Sequence, residues 1–222
     1  MKLGGYRTLS TVDYPGKVVA TIFTAGCNFH CEYCHNYDLI NESECRESVE
    51  FSDILSHLEK RKFLLDGVCI SGGEPLLHFQ NVKTMILKLK AEFPHFLIKV
   101  DTNGSSLEKI QNIAKYVDFI AIDFKGLEFK QYSNQAVDIQ GIIKYLNLSE
   151  IEYEIRLTLY PDYFPIKDFE KVSEMVKMAK VVAIQNYSAE HVRERKNPYD
   201  MDVLDSFKEI LEKKISKVIK RY

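Results

Sequence analysis

The sequence predicts an α/β fold, an open, TIM-like partial (β/α)6 barrel, and three observations carry that prediction. Six short apolar or β-branched runs recur without the clean alternation of a half-exposed sheet, which is how strands covered on both faces read. Stripes of helical period lie between them, and strand followed by helix implies right-handed crossovers and a parallel sheet. The chain has 222 residues, whereas a closed eight-stranded barrel takes about 250. A doubly wound sheet satisfies the same periodicity and remains the alternative.

Taken in order, residues 1–17 read as an N-terminal extension, with Asp13-Tyr14-Pro15-Gly16 as a turn signal. The strand runs are Val18 to Phe23, Val68 to Ile70, Leu97 to Val100, Phe119 to Ile122, Tyr153 to Leu159 and Val181 to Ile184. The helical stripes are Phe51, Ile54, Leu55 and Leu58; Val82, Met85, Ile86 and Leu89; and Ile110, Ile113 and Ala114. Two more follow, Ile139, Ile142, Ile143 and Leu146, then Phe169, Val172, Met175, Val176 and Ala179. Leu204, Phe207, Ile210, Leu211, Ile215 and Val218 predict a C-terminal helix over 201–222. No repeat, long linker or low-complexity tract interrupts the pattern, so 1–222 reads as a single domain.

Composition sets the surroundings. Lys and Arg number 30 against 32 Asp and Glu, a net charge of -2, so no chain-wide basic field calls for a nucleic-acid partner. The start lacks a signal-peptide pattern, and no apolar run is long enough to cross a bilayer, so no membrane partner is expected. Five cysteines, three of them crowded, fit a reducing cytoplasm better than a disulfide scaffold.

The crowded cysteines are Cys27, Cys31 and Cys34, in a loop directly after the first strand run. Three thiolates hold three irons of a [4Fe-4S] cluster and leave one iron open to a small molecule. Zinc, with His30 or His35 as fourth ligand although no second cysteine pair follows, and a chance clustering of cysteines are the competing readings. Cys69 sits in the apolar run Val68-Cys69-Ile70 and reads as a core thiol, and Cys45, in a polar stretch, as a bystander.

Further unusual residues gather at the same ends of later strands: Ser71-Gly72-Gly73-Glu74-Pro75, then Asp101-Thr102-Asn103-Gly104, then Asp123-Phe124-Lys125. Paired glycines let a backbone approach a ligand closely, and Glu74 can accept hydrogen bonds from a ligand ammonium. A plain turn at Gly72-Gly73 and helix caps or solvated acids at Asp101 and Asp123 are the alternatives. Arg156 falls inside the apolar strand Ile155 to Leu159, where a guanidinium requires an anion, either a ligand or an acidic side chain.

Cys27-x3-Cys31-x2-Cys34, with Tyr33 before the last cysteine, resembles the cluster motif of the radical S-adenosylmethionine superfamily, and Ser71 to Pro75 resembles its second motif. Through Asp101 to Gly104 and Asp123 to Lys125 the similarity extends to activating enzymes of glycyl-radical proteins. Gly4-Gly5, Asp13 to Lys17, Phe23 to Cys27 and Cys34-His35-Asn36 are similar to the branch of anaerobic ribonucleoside-triphosphate reductase activating proteins. The resemblance reaches residue 185 and implies the partial barrel already expected.

By that resemblance Cys27, Cys31 and Cys34 bind one [4Fe-4S] cluster, and S-adenosyl-L-methionine ligates the open iron through its amino and carboxylate groups. Gly72, Gly73 and Glu74 then position the amino group, and Tyr33, Asp123, Lys125, Arg156 and Gln185 belong to the cofactor pocket. Asp101, Thr102 and Asp123 match a monovalent-cation site. The implied chemistry is one-electron cleavage to methionine and a 5'-deoxyadenosyl radical, which takes a Cα hydrogen from a glycine of a partner glycyl-radical enzyme. Reduced flavodoxin or ferredoxin is the implied electron donor.

Where related activases can carry a histidine after the last core strand, this chain has Ile184-Gln185-Asn186-Tyr187. No second cysteine cluster exists for an auxiliary centre. The segment Ala189 to Asp200, with His191, Arg193, Arg195 and Lys196, reads as a charged loop or as the flank of a peptide entrance. Two other functions stay open: a radical enzyme acting on a small molecule such as a deazapurine precursor, and a non-enzymatic zinc or iron-sulfur binding module.

Overall fold

The computed structural model describes residues 1–222 apart from 47, 128–135, 191, 193, 194 and 222. The chain begins with β1 (Leu3–Ser10), β2 (Val19–Thr24), α1 (Phe51–Arg61), β3 (Gly67–Gly72), α2 (Phe79–Glu92), β4 (Leu97–Thr102) and α3 (Leu107–Ile113). It continues with β5 (Phe119–Phe124), α4 (Ile139–Leu148), β6 (Glu152–Leu159), α5 (Phe169–Val176), β7 (Val182–Asn186), α6 (Met201–Glu212) and β8 (Val218–Arg221). Neighbouring strands follow chain order. β2 to β7 are the six expected strands, and the alternation is that of a partial, unclosed (β/α) barrel. Among the described residues no helix is long and apolar enough to cross a membrane.

The chain divides into two compact units that interleave in sequence. The first comprises Met1–Asn28, Asn36–Thr102 and Glu108–Ile120; the second comprises Phe29–His35, Asn103–Leu107 and Ala121–Tyr222.

In the first unit β2 pairs in parallel with β3 from Val19↔Gly67 to Thr24↔Gly72, and β3 with β4 from Gly67↔Leu97 to Ile70↔Val100. Ile22, Val68, Ile70, Ile98 and Val100 of the strands and Leu58, Val82, Ile86 and Leu89 of the helices are all fully buried. Each such side chain contributes about 1.5–3 kcal/mol relative to exposure. The expected extension, residues 1–17, is partly regular: β1 runs antiparallel to β2 from Leu3↔Thr24 to Ser10↔Val19. The turn at Asp13 to Gly16 then closes with Lys17 N–H donating to the Tyr14 carbonyl at 3.2 Å.

In the second unit β6, β7 and β8 pair in parallel, Ile155↔Val182 to Leu159↔Asn186 and Val182↔Val218 to Gln185↔Arg221. The Asp138 carboxylate caps α4 by accepting from Gly141 N–H at 2.9 Å, and Phe169 of α5 stacks on Phe207 of α6 at 4.1 Å. The helix expected over 201–222 is corrected here, since α6 ends at Glu212 and Val218–Arg221 is a strand. Pairing with β7 gives that stretch a hydrogen-bond ladder, and Arg221 forks onto the Glu154 carboxylate at 2.9 and 2.6 Å. Glu154 is 1 % exposed, so its charge requires such a partner.

Candidate functional site

The predicted site residues fall into two sets, one in each unit. In the first unit β2 delivers the chain to Cys27 through a lead-in held at every step. Ala25 N–H donates to the Lys2 carbonyl at 3.0 Å, Gly26 N–H to Leu39 at 2.7 Å and Cys27 N–H to Ile40 at 2.9 Å. The loop after β3 docks on this lead-in, with Gly73 N–H donating to the Thr24 carbonyl and Glu74 N–H to the Gly26 carbonyl, both at 2.8 Å. That approach requires glycine. A Cβ at Gly72, whose φ is +117°, would stand 2.4 Å from the backbone of Thr24, and one at Gly73 2.2 Å from the Gly26 oxygen. The paired glycines therefore join the two motifs of the sequence to each other.

Glu74 is 1 % exposed, and its Oε1 accepts from Leu76 N–H at 3.0 Å and from the Thr102 hydroxyl at 2.7 Å. It caps the 3-10 turn Pro75–His78 and is locked in one orientation. Asp101 is buried as well: Lys99 Nζ donates to its Oδ1, and the Ser71 hydroxyl donates to its Oδ2 at 3.3 Å. Lys99, inside the strand run Leu97 to Val100, was not singled out by sequence.

In the second unit lie Cys31, Tyr33 and Cys34. Cys31 and Tyr33 are buried and Cys34 half-buried. Cys34 N–H donates to the Cys31 carbonyl at 3.2 Å, and Glu32 N–H donates to the Tyr163 hydroxyl at 3.2 Å, which ties the cysteine loop to the segment after β6. The Tyr33 ring packs on Tyr160 at 5.2 Å, Tyr163 at 5.4 Å and Tyr187 at 6.5 Å. These three tyrosines are a second set that sequence reading missed, since only the fold gathers them. Lys125 Nζ lies 5.3 Å from the Tyr33 centroid and 3.8 Å from Asp123 Oδ2.

Burial opposes the charge on Lys125, but Asp123 leads the groups that outweigh it and hold its pKa well above the usual lysine value. Burial pushes the Cys31 thiol up to about 11, with Lys125 pulling the other way. Arg156 meets its anion within the protein: Nε donates to Asp123 Oδ1 at 2.7 Å and Nη2 to Oδ2 at 2.9 Å. Asp123 is thus an acidic partner of the kind a strand guanidinium requires. Gln185 donates to the Thr158 hydroxyl at 3.0 Å. Asn186 donates to the Tyr199 carbonyl at 2.6 Å, and the Lys196 N–H donates to the Tyr187 hydroxyl at 2.6 Å, so the described ends of the 189–200 loop are clasped. His191 and Arg193 lie outside the described residues.

The donor set fits a cluster better than a zinc ion. Cys27, Cys31 and Cys34 sit in one eight-residue loop, and a [4Fe-4S] cluster takes each thiolate on a different iron, so the three need not converge on one point. Among the described residues no three His, Cys, Asp or Glu gather as a single metal ion requires, and His30 and His35 are exposed. Cys69 is fully buried in β3, as expected, while Cys45 is also buried, its sulfur 3.0 Å from where a Cβ at Gly4 would lie.

A family model described as a 4Fe-4S single cluster domain matches residues 12–145. A protein of Methanocaldococcus jannaschii, named among the glycyl-radical enzyme activating enzymes, is 33% identical over 99% of this chain and 92% of its own. The pyruvate formate-lyase-activating enzyme of Staphylococcus aureus is 26% identical over 81% of this chain and 74% of its own. Among solved structures, Streptococcus suis SuiB bound to S-adenosylmethionine shares the fold, with a TM-score of 0.66 and 15% identity over 90% of this chain. The chain spans about half of that protein's length, 49%. The single-cluster match over more than half of the sequence and the archaeal relative along nearly all of it agree on one assignment: this chain is a radical S-adenosylmethionine oxidoreductase and belongs to the glycyl-radical enzyme activating enzymes.

Proposed function

We propose that this enzyme generates the glycyl radical of a separate protein, an anaerobic ribonucleoside-triphosphate reductase, as one functional domain in the cytoplasm with reduced flavodoxin or ferredoxin as its electron donor. Cys27, Cys31 and Cys34 hold the cluster, and Gly72, Gly73 and Glu74 position the amino group of S-adenosylmethionine. When bound, the cluster supplies the electron that cleaves the cofactor to methionine and the 5'-deoxyadenosyl radical that takes the glycine hydrogen.

The observation that supports this reading most is the docking of Gly73 and Glu74 onto Thr24 and Gly26, directly before Cys27. It fixes the loop after β3 relative to the first cysteine without any side chain that can rotate. Around Cys31 the protein's part is exclusion and charge. Tyr33, Tyr160, Tyr163 and Tyr187 cover the loop with aromatic surface, which limits access of water to a reactive intermediate. Lys125 keeps a positive charge beside the Cys31 thiol, and the Arg156 fork holds the Asp123 carboxylate in place. Gln185 offers amide hydrogen bonds where a histidine would offer a titrating ring.

The test is anaerobic reconstitution with iron and sulfide, reduction, and assay of 5'-deoxyadenosine, followed by electron paramagnetic resonance of the mixed reductase. Cofactor cleavage by the parent but not by Cys31→Ala, with a glycyl doublet on the reductase, is the expected result. Cleavage without any doublet on the reductase would leave the chemistry and sink the partner.

A further inference from the structure

We propose that Lys99 supplies, as part of the chain, the positive charge that the family resemblance gives to a monovalent cation beside Asp101 and Thr102, so that cofactor binding requires neither sodium nor potassium. Both of these implied ligands are met by protein. The Asp101 carboxylate accepts from Lys99 Nζ on Oδ1 and from the Ser71 hydroxyl at 3.3 Å on Oδ2. The Thr102 hydroxyl donates to Glu74 at 2.7 Å. The Asp101 charge that would repay the dehydration of an ion therefore already faces a fixed cation.

Lys99 is built into the strands. It is 1 % exposed, lies across from Cys69 in the β3–β4 register, and shares its strand face with Asp101 two residues on. Its Nζ lies 3.8 Å from Cys69 Sγ and 5.9 Å from the centroid of the Phe119 ring, so its stem does not carry the charge out to water. A buried ammonium requires its carboxylate as much as the carboxylate requires it. A second cation at Asp101 would add net positive charge to a buried pair that is already neutral. Unlike a bound ion, the lysine cannot dissociate.

The inference rests on the cofactor-pocket reading above only for its S-adenosylmethionine readout, and a thallium readout stands without it. Cluster-reconstituted protein is titrated anaerobically with thallium(I), a potassium mimic, and followed by thallium NMR. The dissociation constant of S-adenosylmethionine is measured by equilibrium dialysis in potassium, sodium and choline chloride at one ionic strength. The parent should show no saturable thallium site and one affinity in all three salts. Lys99→Met, which keeps the length and removes the charge, should gain saturable thallium binding and bind the cofactor about tenfold more weakly in choline than in potassium. A saturable thallium site in the parent that Asp101→Asn abolishes, or parent affinity that itself drops about tenfold in choline, overturns the assignment; so does a folded Lys99→Met protein indifferent to the cation. Where melting curves show that Lys99→Met does not fold, the parent titration decides. Failure of the parent to bind S-adenosylmethionine in every salt counts against the pocket reading and leaves thallium to judge Lys99.

Discussion

At Gly73 and Gly16 the same substitution acts through different physics. A Cβ at Gly73 would meet the oxygen and carbon of the Gly26 carbonyl at 2.2 and 2.8 Å, backbone atoms that no rotamer change can move. Gly73→Ala should cost about 2 kcal/mol in urea denaturation and lower the iron content, since the displaced Gly26 adjoins Cys27. Gly16 has open space around its Cα but a φ of +69°, so Gly16→Ala should cost about 1 kcal/mol of backbone strain and leave iron content unchanged. Equal iron loss in both would break the link between the glycine loop and the cysteine lead-in. The Arg156 fork gives a third case. Arg156→Leu leaves Asp123 without its bidentate partner and should cost about 2 kcal/mol, while Arg156→Lys, a point charge, should cost less. That a guanidinium at 156 needed an anion was legible in the sequence, because Ile155 and Leu157 beside it are apolar. Lys99 was not, although its neighbours Ile98 and Val100 are equally apolar: burial of its own face becomes visible only when Cys69, Asp101 and Phe119 gather around it.

Between elements, legibility followed burial on two faces. β2 to β7 read as continuous apolar runs because helices cover the sheet, and their ends fell within two residues of those expected. β1 carries Gly4, Gly5 and exposed polar residues, so it shows neither a continuous run nor a clean period. β8 is four residues, Val-Ile-Lys-Arg, and its apolar pair serves as the tail of a helical stripe as well as a strand. What decides is tertiary, the β7 edge and the buried Glu154 at the start of β6. Arg221→Met should therefore destabilise the protein by about 3 kcal/mol, more than the loss of a surface ion pair, because it strands a carboxylate that is 1 % exposed. Glu154→Leu combined with Arg221→Met should regain most of that loss. A double variant as unstable as the single one, measured by thermal unfolding, would assign the cost to strand packing instead of to the charge.

Across the whole molecule the two units do not correspond to two stretches of sequence, since Phe29–His35 belongs to the second although residues of the first flank it. No local pattern announces this: Tyr33 finds Tyr160, Tyr163 and Tyr187 more than a hundred residues away. The cysteine spacing, by contrast, is local and was legible in full, and so was a core thiol at Cys69 from its place in a strand run. The open-iron reading depends on that separation of roles. Were Cys69 or Cys45 a fourth ligand, no iron would be left for S-adenosylmethionine. Cys69 is committed to β3 beside Lys99, and Cys45 packs near Gly4 of β1. Anaerobic reconstitution should give about four irons per chain in the parent, in Cys45→Ala and in Cys69→Ala, with the same visible absorption. Cys27→Ala, Cys31→Ala and Cys34→Ala should each fall well below that. Loss of iron in Cys69→Ala or Cys45→Ala, in protein whose melting curve matches the parent, would mean a cluster closed by four cysteines, and cofactor cleavage at an open iron would then have no site.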